Sequence, residues 1–333
     1  MYLLSLFGNE VSTETILFGV FTAVILLFLV VDLGLFNKTP KKISTKSALI
    51  QSIFWVLVST VFGYLIYRFD EGGSDAMIEY FSAYLTEYAL SVDNIFVILL
   101  ILKYFTVKEE YYHKVLFWGI LGAVVFRGVF IFLGALLVAK IHAILYVFGV
   151  FLVYSGIKIY FGDSDASIEP EKNPVLKFCR KYLPITPNEM GDQFMAKVNG
   201  KMMFTPLFLV IVLIETTDLI FAVDSIPAAF AITQNEFLIY TSNIFAVMGL
   251  RAMFFLLAGI IDKFYLLQKG LSIILFFIGA KMLLEIGEGY LPDSITHIDP
   301  TVSFSIIIVT LTLSIVLSIL IPSKKGKDVK ELG

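Results

Sequence analysis

Two stretches decide the fold: TEYALSVDNIFV (residues 86–97) and TDLIFAVDSIPA (residues 217–228). Aligned without gaps, they pair Thr86 with Thr217, Glu87 with Asp218, Asp93 with Asp224, Asn94 with Ser225 and Ile95 with Ile226. The match continues downstream. FRGVFIFLGA (126–135) resembles LRAMFFLLAG (250–259), pairing Arg127 with Arg251, and VYSGIKI (153–159) resembles FIGAKML (277–283), pairing Lys158 with Lys281 when the second string is shifted by one residue. Offsets of 131, 124 and 123 residues keep the two copies in the same order.

Both stretches lie inside long apolar runs. Of the 333 residues 58% are hydrophobic and 16% charged, with a formal net charge of −3, whereas a water-soluble protein carries roughly 25% charged residues. That excludes a soluble enzyme and a disordered regulator and defines an integral membrane protein. Without a basic excess, a nucleic-acid partner is not expected. One cysteine, Cys179, allows no intramolecular disulfide, and three histidines are too few for a zinc or copper site.

Runs long enough to cross a hydrocarbon core of about 30 Å fall near 14–36, 47–68, 77–103, 115–139, 142–162, 204–230, 237–261, 271–290 and 302–322. The expected fold is therefore all-α and polytopic, with about nine spans. No Lys or Arg precedes the first run and no small-residue cleavage site follows it, so that span is expected to be retained. Lys38, Lys41, Lys42, Lys46, Lys103, Lys108 and Lys114, the basic residues between 158 and 201, and Lys324, Lys325, Lys327 and Lys330 collect on one side. The positive-inside rule then places the N-terminus outside and the C-terminus in the cytoplasm.

Each copy of the repeat has three spans, an odd number, so same-order copies must be inverted in the membrane, as in many secondary transporters. The organisation expected is peripheral spans in 1–76, repeat 1 in 77–162, a cytoplasmic loop in 163–203, repeat 2 in 204–291, and a last span with a basic tail in 292–333. Within the loop, PVLKFCRKYLP reads as a short amphipathic helix, and Asn199-Gly200 is a type I′ hairpin signal between short strands.

Five carboxylates fall within two spans: Glu87, Asp93, Glu215, Asp218 and Asp224. An ionised carboxylate at a helix centre costs roughly 2.5–3.5 kcal/mol on insertion scales, so these groups must be protonated, paired with Arg127 and Arg251, or neutralised by a cation. Thr86 with Asp93, and Thr217 with Asp224, share a helix face, while Glu215 and Asp218 are one turn apart. Pro227 frees the carbonyl of Val223 beside Asp224. Asn94, Ser225 and Asn243 add neutral oxygens. Such oxygen ligands suit a hard divalent cation, whereas soft-metal transport would want Cys or His at depth. A proton relay, a counter-ion for a basic organic solute and a purely structural role remain as alternatives. The arginines either hold a neighbouring carboxylate when the site is empty or stand in for the cation during half of the cycle.

EYALSVDNIFV (87–97), ETTDLIFAVDSIPA (215–228), TSNIFAVMGLRAMFFLLAG (241–259) and NGKMMFTP (199–206) resemble the TerC/Alx family, within the LysE-like transporters, over about residues 10–322. The resemblance implies nine spans and Mn²⁺ export across the bacterial inner membrane, or a part in alkaline-pH response or tellurium resistance. The acidic motif positions carried over are Glu87, Asp93, Glu215, Asp218 and Asp224. Together these readings give a secondary transporter, not an enzyme and without a prosthetic group. Its expected metal-site residues are Glu87, Asp93, Asn94, Glu215, Asp218, Asp224 and Ser225, with Asp93 and Asp224 central. Thr86, Thr217, Arg127, Arg251 and Asn243 would support them. Protons are the expected counter-ion, and no nucleotide-binding loop is present to supply ATP drive. The rival is a membrane scaffold or redox-stress protein that recruits a partner through 163–203.

Overall fold

The structure, a computed structural model, describes residues 13–36, 44–141, 143–162, 173–186, 191–198, 200–258, 266–286 and 298–321. Its long helices are α1 (Thr13–Phe36), α2 (Thr45–Phe69), α3 (Gly73–Tyr104), α4 (Tyr112–Lys140) and α5 (Ile144–Phe161), followed after a short helix and a hairpin by α7 (Pro206–Ile232), α8 (Glu236–Leu257), α9 (Leu267–Ile286) and α10 (Pro300–Leu320). Among the described residues eight helices, α2 to α5 and α7 to α10, are long and apolar enough to cross a membrane; α1 carries a shorter apolar stretch, Thr15–Val30. The expected all-α polytopic architecture is thus present.

Aligned polar caps start several of these helices. Ser44, Asn173, Thr205, Asn235 and Asp299 each accept a backbone N–H from the first turn, which satisfies donors that a helix leaves orphaned. Pro174, Pro206 and Pro300 follow three of these caps, where a missing N–H does no harm. Helix α7 continues through Pro227 to Ile232.

Helix α8 forms the centre. Most of its side chains are buried, and it packs against α2, α3 and α4. Aromatic rings fill the contact on the α1 and α2 side: Phe62 lies 5.1 Å from Phe245 and Phe21 lies 5.3 Å from it, centroid to centroid. The outer faces of α2, α4 and α5 expose Leu57, Val61, Phe132, Leu133, Val147 and Val150, as lipid-facing helices must.

The most intimate helix pair is α5 with α9. A Cβ added at Gly156 would lie 2.8 Å from the backbone N of Phe276 and the backbone O of Ser272; one added at Gly279 would lie 2.8 Å from the backbone N of Val153 and the backbone O of Gly149. The helices therefore run antiparallel with backbones in contact. Each atom in the first contact has its counterpart in the second at an offset of 123 residues, the same offset that aligned the third span of each sequence copy. Helices α3 and α7 are also antiparallel, since Glu79 near the start of one lines a small cavity with Ala231 and Ile232 at the end of the other. These reciprocal contacts support an inverted repeat of α3–α5 and α7–α9.

The amphipathic helix expected in the long loop is α6 (Pro174–Tyr182). Leu176 and Cys179 are buried with Leu209 of α7, while Lys177, Arg180 and Lys181 are exposed. The hairpin follows: β1 (Met195–Val198) pairs antiparallel with β2 (Lys201–Phe204), Val198 opposite Lys201. Gly200 sits at φ +82° in the turn, where a side chain is disfavoured; Asn199 lies outside the described residues, as do 163–172 and the basic tail. Lys114 ties the segment before the hairpin to α4 through Asp192 at 2.9 Å.

Candidate cation site

The polar centre lies where α3, α4, α7 and α8 meet. Arg127 of α4 is 1% exposed. Its Nη1 donates to Glu87 Oε1 of α3 and, at 3.4 Å, to Asn243 Oδ1 of α8, and its Nη2 donates to Asp218 Oδ1 of α7 at 3.1 Å. Asn94 of α3 donates from Nδ2 to the same Asp218 oxygen at 3.3 Å. Asn243 is held in turn by its own donation to the Ile239 carbonyl at 3.1 Å. Glu87 and Asn94 share a face because they are seven residues apart, two turns of helix.

This arrangement differs from the expected centre. Asp93 and Asp224, the expected central ligands, are each turned about 100° from the neighbour Asn94 or Ser225, and it is the stripe of Glu87 and Asn94 that meets α7. Asp224 instead accepts a hydrogen bond from Ser155 of α5 at 2.8 Å. Asp93 is less enclosed than Asn94 beside it. Thr217 spends its hydroxyl on the Leu213 carbonyl of its own helix at 2.7 Å. Among the described residues no three His, Cys, Asp or Glu side chains gather closely enough to hold a metal ion. The five acids do not form one cage in this conformation.

Several buried oxygens of α3 and α7 are nevertheless left over. Asn94 Oδ1, Asp218 Oδ2, Glu215 Oε2, Thr86 Oγ1 and Ser225 Oγ are buried without a hydrogen-bond partner. Orphaned buried acceptors are costly. Glu215 lies one turn before Asp218 and presses its carboxylate against Gly122 of α4, where an added Cβ would collide with Oε1. With Glu87 and Asp218 the acids at this crossing carry up to three negative charges, and Arg127 supplies one positive charge. Arg251 is half-buried on α8.

Gly122 and Ser155 are the site residues that sequence reasoning missed as such. Gly122 reads as ordinary helix packing, and only its position opposite Glu215 gives it a role. Ser155 stands in the VYSGIKI stretch, but its bond crosses to another helix. Asp32, which its place toward the inner end of the first apolar run (14–36) makes interfacial by sequence, belongs to α1, and its side chain lies outside the described residues.

Among the described residues, eight membrane-length helices around a buried arginine and paired acids define a polytopic membrane protein with a charged intramembrane centre. The chain belongs to the Integral membrane protein TerC family, which it matches over residues 72–326. It is 43% identical over 266 residues, 80% of this chain and 87% of the relative, to an "Uncharacterized membrane protein" of Rickettsia bellii. It is 42% identical over 283 residues to a protein of Photorhabdus laumondii named membrane-bound redox modulator Alx, covering 83% and 88% of the two chains. A Salmonella typhi protein of the same name is 36% identical over 329 residues, covering 97% and 99%. No solved structure matches.

Proposed function

We propose that this protein is a secondary transporter that exports a divalent cation, Mn²⁺ foremost, across the bacterial inner membrane, and that the ion passes through the crossing of α3 and α7. The observation that carries this reading is the buried Glu87–Arg127–Asp218 bridge, in which Asp218 Oδ2 and Oδ1 of the bonded Asn94 are left without partners. A buried ion pair is weak as a device for stability, because desolvating the charges offsets their attraction. Its retention inside a membrane favours a functional use.

Arg127 keeps the acids neutralised when no ion is bound. As it withdraws, Glu87, Asp218, Glu215 and the carbonyl oxygen of Asn94 offer hard ligands and enough negative charge for a divalent ion. Asp93 and Asp224, further along α3 and α7, would take the ion or a proton at the next stage of its passage. Proton exchange fits as the energy source, since carboxylates that lose a cation take up protons as replacement charge. Movement of one repeat against the other would expose the site to each side in turn. The orientation favoured is N-terminus outside and C-terminus inside: Lys103, Lys108, Lys177, Arg180 and Lys181 lie at one end of the bundle, and Asp70, Asp75 and Asp299 at the other.

Purified protein in proteoliposomes tests the reading. Mn²⁺ flux is expected, falling at least about tenfold in Glu87→Gln and Asp218→Asn, a loss of roughly 1.4 kcal/mol or more. Folded protein that moves no Mn²⁺, or variants that move it as well as the parent, would overturn it. The relatives' name supports a second reading, a membrane redox modulator, which is the weaker because Cys179 is the one cysteine of the chain and is buried.

A further inference from the structure

We infer that Arg127 and Arg251 are alternative occupants of a single position between Glu87 and Asp218, and that exchanging them is what converts one face of the transporter into the other. Glu87 and Asp218 are counterparts at an offset of 131 residues, and one guanidinium contacts both. Under the two-fold relation that the α5–α9 glycine contacts support, a point held by two equivalent acids lies close to the axis and maps onto itself. Arg127 then maps onto Arg251, its counterpart at an offset of 124, and the place where its guanidinium sits maps onto that same place.

The supporting geometry is consistent. Helices α4 and α8 pack together, with Arg127 reaching Asn243 and Gly128 against Tyr240, so the two helices cross antiparallel beside the acids. The Cα–Cβ bond of a helical residue tilts toward the helix N-terminus. Arg127 therefore reaches back along α4 to the crossing, and Arg251 is placed to reach back along α8 to the same crossing from the opposite direction. Two guanidinium groups cannot share the position, because like charges in a buried site repel strongly. One arginine in place is a state of the molecule, and the other in place is its mirror state. In between, with neither seated, the acids are open to a cation.

The exchange rests on the transport reading for its purpose, but its test moves no ion. Full-length protein is purified as Arg127→Ala, Arg251→Ala, the double variant, and the double variant carrying Glu87→Gln and Asp218→Asn. If each arginine can serve the same acids, each single variant keeps a yield of folded, monodisperse protein within about threefold of the parent. The double variant falls by at least about tenfold, far beyond the product of the singles, as expected for coupled sites. Neutralising the two acids restores it. Arg127→Ala falling as far as the double variant, losses that simply multiply, or no rescue by Glu87→Gln and Asp218→Asn would each overturn the exchange. A non-additive cycle without Mn²⁺ flux discards the ion and keeps the exchange; flux with an additive cycle does the reverse.

Discussion

Gly122 and Glu215 illustrate how one missing side chain shapes the charged centre. The carboxylate of Glu215 occupies the space where a Cβ on Gly122 would stand, so Gly122→Ala must push the acid away or separate α4 from α7. Overpacking of this kind typically costs about 1–3 kcal/mol. The loss is expected in the thermal midpoint, and Glu215→Ala in the same chain should recover most of it. If the two substitutions add independently, the carboxylate does not sit against that glycine. At Asp224 the structural claim is the hydrogen bond from Ser155. Ser155→Ala leaves the carboxylate without that donor, a change worth about 1–3 kcal/mol when the group is charged, read as a fall in thermal midpoint that Asp224→Asn makes smaller.

At the scale of elements, the pair α5 and α9 is the sharpest test of the repeat. Gly156→Ala and Gly279→Ala each drive a methyl group into backbone atoms of the facing helix, which no side-chain rotation relieves. Equal losses of about 1–3 kcal/mol each are expected from the pair, measured by chemical or thermal unfolding in detergent. A large loss at one and none at the other would break the equivalence. The last helix offers a pH-dependent element outside the membrane. Asp299 caps α10 by accepting from Thr301 N at 2.7 Å, and that hydrogen bond holds its carboxyl below the usual range. A depressed folded-state pKa stabilises the protein above the unfolded value and loses that contribution as pH falls through the folded one. Asp299→Ala should therefore lower the thermal midpoint slightly at neutral pH, with the difference from the parent vanishing in acid.

At the scale of the whole molecule, the distribution of charge governs how the bundle sits in its membrane. With Cys179 replaced by Ser, a cysteine at Glu71 is expected to react with an impermeant maleimide in intact cells, and one at Lys181 only after the membrane is opened. The opposite pattern would reverse the proposed orientation. Both positions are exposed, so failure to react reports sidedness, not burial.

Much of the fold was legible in the chain itself. Apolar runs of about twenty residues leave few choices, because unpaired backbone groups cannot remain in hydrocarbon and a helix satisfies its own. Short-range signals were equally clear: the Pro-led amphipathic segment became α6, and the alternation around Gly200 became the β1–β2 hairpin. The acids, the asparagines and Arg127 were recognisable as polar groups that an apolar environment must account for. Their pairing was not. Helical spacing says that Glu87 goes with Asn94 and Thr86 with Asp93, but both faces carry a carboxylate or a partner for one, and spacing alone does not say which face meets another helix.

That choice belongs to the tertiary structure. The sequence by itself determined a polytopic helical membrane protein, the polar inventory of its interior, and the matched order of its two halves, since each follows from local composition and spacing. The packing of α3, α4, α7 and α8 decided that Arg127 lies between Glu87 and Asp218, that Asp224 turns to Ser155, and that Glu215 rests on Gly122. The physical reason is that a charge buried in low dielectric takes whichever partner the backbone brings within a few ångströms, and those distances are set by close-packed helices whose contacting residues lie 40, 69 and 91 positions apart in the chain.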